Sequence, residues 1–392
     1  MARYCVNPQR VIEMVRRIHF PRETGSAGEQ SAFEVIAGEL DALGLEPSYE
    51  PFEAPWFDCR PGFIEAAGRR VPVTPLVNPV YDGEWLAAPA HLDIEGQLTD
   101  EAHPSGAPGA IVIRSGYDRR RPFVAGARAQ LFIGRPPGDY IAYFRACDNR
   151  VPAAWIRDSA SDVLRRNTGS VCRLLWGSKQ VSAPFKNMVV EVAGPQSTGS
   201  VAIAGAHIDS FTGTVGACDN AYGAAFLVEL ARWYAQRPPQ TTVRLIWFTG
   251  EELDRRGSGH YVTEHLAEAD GVLLYVNVDS GVSHEHGDPY VAVTGPDVVL
   301  AALHRHVASL GPAIAVHHRG VGACDTAPFE QAGVPTAFVA ARLNSPPPHP
   351  HLPSDTVDTL STAKIQRNGA LSLALLDAAQ SGALCGKTGP TA

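Results

Sequence analysis

Lysine is nearly missing from this 392-residue chain. Only Lys179, Lys186, Lys364 and Lys387 are present, and arginine carries most of the positive charge. Acidic residues outnumber basic ones by 41 to 33, for a formal net charge of −8. A surface of that sign does not suit a phosphate backbone, so no nucleic-acid partner is expected. Long apolar runs are also missing. None reaches the ~18–20 residues of a membrane span, so no membrane partner is expected either. The opening MARYCVNPQRVIEMVRRIHFPRETG has helical apolar spacing broken by Arg10, Glu13, Arg16 and Arg17. It is therefore not expected to be a secretory leader. The 7 cysteines (5, 59, 147, 172, 218, 324 and 385) show no close CxxC pair and no even framework. Reduced thiols in a cytoplasmic protein are expected. Internal repeats are absent as well. With 45% hydrophobic and 19% charged residues, the composition is that of a globular protein and excludes disorder.

What is present has two textures, and the length suggests about two domains. Residues 7–18 and 28–43 read as amphipathic helices, with Gly44 as a stop and LEPSYEPF as a strand. From about residue 55 the chain becomes short-stranded and rich in proline. The apolar runs IEGQL, GAIVIR, GARAQLFIGR and VPAAWI follow, then a helix over DSASDVLRR. From residue 186 onward a regular order sets in: KNMVVEVAG, VAIAGAHID, TTVRLIWFTG, GVLLYVNVD, YVAVTG, AIAVHH and PTAFVAAR as strands, with helices at 219–236, 258–268, 296–310, around APFEQAG, and from 362 to about 380. Strands with little alternation between helices indicate a sheet covered on both faces. The expected fold is α/β: a mostly parallel mixed sheet sandwiched by helices, built from residues 1–54 and 183–385. Residues 55–182 form a smaller inserted α+β or β domain, and 386–392 a loose tail.

Three of the strands end on similar chemistry. VAIAGA ends on His207, with Asp209 next; VRLIWFTG ends on Glu251 and Glu252; LLYVNV ends on Asp279. Open α/β sheets build sites outside the carboxyl ends of their strands. Asp219 follows GAC at a helix start, and His351 lies in PPPHPHLPSD. Taken singly, each has an ordinary reading: an Asp before a helix is usually a cap, and a Glu pair at a strand end is usually solvated. Together they would repel one another unless a cation pair held them. Imidazole and carboxylate without thiolate suit Zn, Mn or Co. Adjacent glutamates at an extended strand end point in different directions, so one can ligate while the other reaches a water.

AHIDS, GACDNAYGAA, FTGEEL, NVDS and HLPSD, in this order, resemble the M28 family of di-zinc aminopeptidases over residues 187–380. The insert is similar to the protease-associated domain of some members. The resemblance implies two zinc ions per chain, with cobalt or manganese as alternatives. His207 and Asp279 would hold one, Glu252 and His351 the other, and Asp219 would bridge them. Asp209 would fix the His207 tautomer, Glu251 would be the general base, and the Asp219–Asn220 peptide would be cis. Water acidified by the metal pair would give its proton to Glu251, which hands it to the leaving amine of a peptide or small amide bearing a free N-terminal amino group.

His349 is two residues from His351, but only His351 has the family's spacing to the aspartate of HLPSD. His284, His286, His317 and His318 are expected to be loop or surface residues, and Cys218 a small buried one. The pattern departs from the family at LDRR, 253–256, and at GACDTAPF, where Cys324 and Thr326 flank Asp325. Arg255 and Arg256 are either solvated or bind a substrate carboxylate, and Asp325 is a candidate pocket residue. These departures suggest one dedicated amide, as in a biosynthetic pathway, as the alternative to a general peptide. A further alternative is a glutaminyl-cyclase-like transferase, whose relatives alter the Asn after the bridging Asp and the Asn-x-Asp motif; Asn220 and NVDS are intact here. A ligand-less receptor of this family is disfavoured by the full ligand set. The insert would serve as a lid or as a contact in a homo-oligomer.

Overall fold

The computed structural model describes residues 4–59, 62–75, 91–102, 108–115, 124, 126–133, 152–195, 199–211, 213–265, 271–310, 314–320, 324–343 and 351–381. The chain divides into two compact units, Met1–Phe52 with Pro184–Ala392, and Glu53–Ala183.

The first unit opens with two helices whose starts are locally encoded. Asn7 accepts from the main-chain N–H of Gln9 and Arg10 ahead of Pro8–Arg17, with proline in the first turn. Ser26 accepts from Glu29 N ahead of Ala27–Ala42. The sheet of this unit runs, in spatial order, Ala315–His318, His286–Thr294, Thr336–Leu343, Val272–Asn277, Val201–His207, Thr242–Phe248 and Val171–Val192. Its centre is parallel: Val201–His207 pairs in parallel with both Thr242–Phe248 and Val272–Asn277, and the latter with Thr336–Leu343. His286–Thr294 and Val171–Val192 join antiparallel.

Every position of Val201–His207 is buried, which is why its sequence does not alternate between apolar and polar. The alternation survives in what each side chain meets. Ala202, Ala204 and Ala206 join Phe33, Phe226 and Leu375 from three helices. Val201 and Ile203 join Tyr261 and Phe329 from two others. Register aligns Phe248 with His207 and Asn277 with Gly205, so three parallel strands finish at one edge.

The second unit is a ring of strands. Val171–Val192, through its first half, pairs with Gly62–Ala66, followed by Arg69–Pro75, Ala153–Ile156, Ala129–Ile133, Ile111–Ser115 and His91–Asp100, which pairs back onto Val171–Val192. Ile64, Leu98, Ile111, Leu131, Ala154 and Leu174 fill it, and helix Asp158–Arg165 adds Leu164.

Two local expectations need correction. The helix expected from Asp219 begins at Tyr222, after an irregular turn in which Asp219 (φ −121°, ψ 87°) and Asn220 (φ −139°, ψ 39°) are not helical. Asp219 is therefore not a helix cap. Glu251 and Glu252 do not continue an extended strand either. The strand ends at Phe248, and Gly250 (φ 66°) turns the chain before them. No helix among the described residues is long and apolar enough to cross a membrane.

Candidate metal centre

Beyond the aligned strand ends, five side chains form two groups around one carboxylate. His207, Asp219 and Asp279 make one set, and Asp219, Glu252 and His351 the other; the ligand atoms of each set lie within 4.8 Å of one another. His207 Nε2 is 3.1 Å from Asp219 Oδ1 and 3.7 Å from Asp279 Oδ1. His351 Nε2 is 3.4 Å from Asp219 Oδ2 and 3.2 Å from Glu252 Oε2. The two oxygens of Asp219 thus face different imidazoles.

Each ligand is oriented by what lies behind it. His207 Nδ1 is 3.1 Å from the carbonyl oxygen of Asp209, an acceptor only. Nδ1 therefore carries a proton, which leaves Nε2 as the nitrogen that could offer a lone pair to a cation. The Asp209 carboxylate lies 3.4 Å from the same Nδ1 and accepts from Glu251 N at 3.2 Å and Glu252 N at 3.1 Å. One buried side chain thus ties the strand end carrying His207 to the loop carrying both glutamates. His351 has a positive φ of 73° and stacks on Phe211, with centroids 4.3 Å apart and planes 12° off parallel.

The Asp219–Asn220 peptide is cis. Asn220 donates to Val278 O and accepts from Gly223 N, both at 2.9 Å, which pins the turn to the strand leading to Asp279. Gly216 has φ 47°, and a Cβ there would meet Asp219 O at 2.1 Å, so only glycine fits. Asp355 accepts from Cys218 N at 2.8 Å and from Asp219 N at 3.0 Å. That role went unread in the sequence, although its carboxylate in HLPSD, next to a ligand candidate, was the available signal. Phe211 likewise follows AHIDS directly.

The donor set fits a borderline divalent cation, and Glu252 Oε1 is buried without a hydrogen-bond partner. Glu251 is buried, and burial pushes its carboxyl well above the ordinary range. His207 opposes that shift, while Glu252, Asp325 and Asp279 add to it. A bound cation would act in the opposite direction.

The other sequence candidates fall outside the two sets. Asp325 is buried, accepts from Ser258 Oγ at 2.5 Å, and has its carboxyl pushed up to about 7 by burial. Arg255 pairs with Asp254, and both take positive φ, 60° and 69°, just after the glutamates. Arg256 opens helix Arg256–His265. His286 is buried against Ser283 Oγ at 2.6 Å rather than on the surface, while His284 and His318 are exposed. Cys218 is buried. His349 lies outside the described residues.

Residues 187–376 match the profile of Peptidase family M28. The match spans just under half of the chain. The chain is 24% identical over 368 residues to Aminopeptidase YwaD of Bacillus subtilis (strain 168), covering 90% of this chain and 79% of that protein. Among solved structures, BSAP, a zinc aminopeptidase from Bacillus subtilis, superposes with a TM-score of 0.78 at 20% identity, over 95% of each chain. An Acidobacteriales bacterium glutaminyl cyclase superposes less well, with a TM-score of 0.52 at 14% identity over 96% of each chain. The chain thus has a zinc-aminopeptidase-like fold of mixed sheet and helices.

Proposed function

We propose that this chain is a di-zinc aminopeptidase of the M28 type that hydrolyses the amide bond next to a free N-terminal amino acid. The observation that carries the proposal is the shared carboxylate. Two three-residue sets meet on Asp219, and the neighbouring Glu251 belongs to neither. His207, Asp279 and Asp219 would hold one cation; Glu252, His351 and Asp219 would hold the other. Bound there, the pair would polarise a carbonyl and acidify water.

The remaining chemistry belongs to the chain. Glu251 accepts the proton of the attacking water on its carboxylate and returns it to the leaving nitrogen. Its buried setting favours proton uptake, and its main-chain N–H, fixed on Asp209, aims the side chain. Asp209 also keeps His207 in the Nε2-ligating tautomer. Arg255, Arg256 and Asp325 are the candidates for substrate contacts. Cys172, Cys218 and Cys324 are buried and unpaired, which supports a reducing, cytoplasmic setting.

The test is the metal content of purified protein, with hydrolysis of an aminoacyl-p-nitroanilide panel by wild type and Glu251→Ala. Two metals in both proteins, with activity lost in the variant, is the expected result. Two metals without cleavage of any simple substrate would point to one dedicated amide. One metal with release of ammonia from N-terminal glutamine would support the cyclase reading, and absence of metal would sink the proposal.

A further inference from the structure

The segment Arg22–Glu29 lies behind the metal centre and touches three of its loops. Arg22 is fully buried at 0% exposure. Its guanidinium donates to five main-chain carbonyls: Ile18 O at 2.8 Å, Phe20 O at 3.0 Å, Ile208 O at 2.9 Å, Val215 O at 2.7 Å and Gly216 O at 3.1 Å. Its main chain exchanges bonds with Ser210: Arg22 N donates to Ser210 Oγ at 2.9 Å, and Ser210 N donates to Arg22 O at 3.0 Å. Thr24 Oγ1 donates to Asp209 Oδ2 at 2.8 Å. Glu29 accepts from Thr249 Oγ1 at 2.6 Å.

Each loop so held carries part of the centre within a few residues. Ile208, Asp209 and Ser210 follow His207. Gly216 precedes Asp219 by three positions, and Thr249 precedes Glu251 by two. A buried cation is costly, and carbonyl dipoles offset that only when the geometry is closed. A planar five-donor fork can span two loops at once; a lysine ammonium, with three donors on one atom, cannot. Asp209, Asp219 and Asp355 provide the compensating negative charge around it.

We propose that Arg22–Glu29 is a brace that sets the separation of the two metal positions, with Arg22 and Thr24 as positioning residues. The inference rests on the di-metal reading above. Glu252 and His207 belong to different metal sets, yet both hang on Asp209, and Thr24 holds the Asp209 oxygen that Glu252 N also uses. Loosening that oxygen should therefore disturb both sets together.

The experiment is zinc titration of folded Thr24→Val and Arg22→Lys against a chromophoric chelator, with visible spectra of the cobalt-loaded forms and melting of the metal-free proteins. Thr24→Val keeps the side-chain shape and removes only the hydroxyl. We expect it to stay folded, to bind zinc about tenfold more weakly, and to shift its cobalt spectrum. Arg22→Lys should lose more, including full occupancy of one position. Should Arg22→Lys fail to fold, Thr24→Val decides alone. Wild-type zinc affinity and an unaltered cobalt spectrum in Thr24→Val would overturn the brace while leaving the di-metal reading intact. Wild-type protein that binds no zinc would overturn both.

Discussion

Replacing Asp355 with alanine isolates a single support of Asp219, the carboxylate shared by the two sets. Asp355 is 5% exposed, and its two oxygens take the amides of Cys218 and Asp219. Alanine leaves two buried N–H groups unpaired, at about 1–3 kcal/mol each. Part of this is offset because a carboxylate no longer has to be desolvated; burial already pushes the Asp355 carboxyl up to about 7. The net local loss is about 2–4 kcal/mol. Because every 1.4 kcal/mol is a factor of about ten, amide hydrogen exchange at Cys218 and Asp219 should accelerate by about 30- to 1000-fold. Zinc affinity should fall about 10- to 100-fold, since these amides fix the bridging carboxylate. Asp355→Asn keeps one acceptor and should fall between the two. Wild-type exchange protection at both amides in Asp355→Ala would refute the reasoning, because it would mean the two hydrogen bonds hold nothing in place.

Three further outcomes are expected. Glu251→Gln should keep both metals and KM while kcat drops about 10²- to 10⁴-fold, measured by steady-state kinetics beside metal analysis; a smaller kcat effect would remove Glu251 from its role as base. Phe211→Ala removes the ring stacked on His351, a contact worth about 0.5–1.5 kcal/mol, so zinc bound by the His351 set should weaken by about two- to tenfold in competition titration, and equal affinity would count against the contact. Burial chiefly, with Asp209 adding, raises the Glu29 carboxyl from 4.5 to about 8. Its contribution to stability is present below its ordinary value and is lost as pH rises through about 8, with a slope of at most about 1.4 kcal/mol per pH unit. Urea unfolding of Glu29→Gln from about pH 5 to about pH 8 should show a flatter decline than wild type, and an identical slope would exclude Glu29 as its source.

Much of this was legible in the sequence because strand ends and ligand types coincide. The run VAIAGAH has no alternation, and its seven positions are all buried. The residues that end or follow such runs (His207, Glu252 and Asp279) then meet where parallel register brings the ends level. What could not be read is anything carried by the main chain. Asp219 occupies a helix-start position by sequence, but its backbone is not helical: Asp355, and Val278 through Asn220, take hold of the turn from distant segments. The glutamates follow an extended run, but Gly250 ends it. Arg22 gave no local signal at all. Its partners are carbonyl oxygens, which every residue type possesses, so nothing in PRETG distinguishes it from a solvated arginine.

Burial alone does not separate the carboxylates proposed to hold a metal from those that hold the fold. Asp209, Asp219, Glu251, Glu252 and Asp355 are all 9% exposed or less. The distinction lies in their donors. Asp209 and Asp355 face main-chain N–H groups, which give a carboxylate lasting partners. Asp219, Glu252 and Asp279 face imidazole nitrogens instead, which would themselves serve as lone-pair donors to a cation. Burial would discharge the imidazoles of His207 and His351, but their carboxylate neighbours hold them well above the ordinary range. A divalent ion bound there would release the imidazole protons and take over their role. The free energy of metal binding would therefore be coupled to protonation and, through the loops fixed by Asp209 and Asp355, to folding as well. On this reading the scaffold carboxylates shape the site before any ion arrives, and the proposed ligand carboxylates would acquire a lasting partner only with one bound.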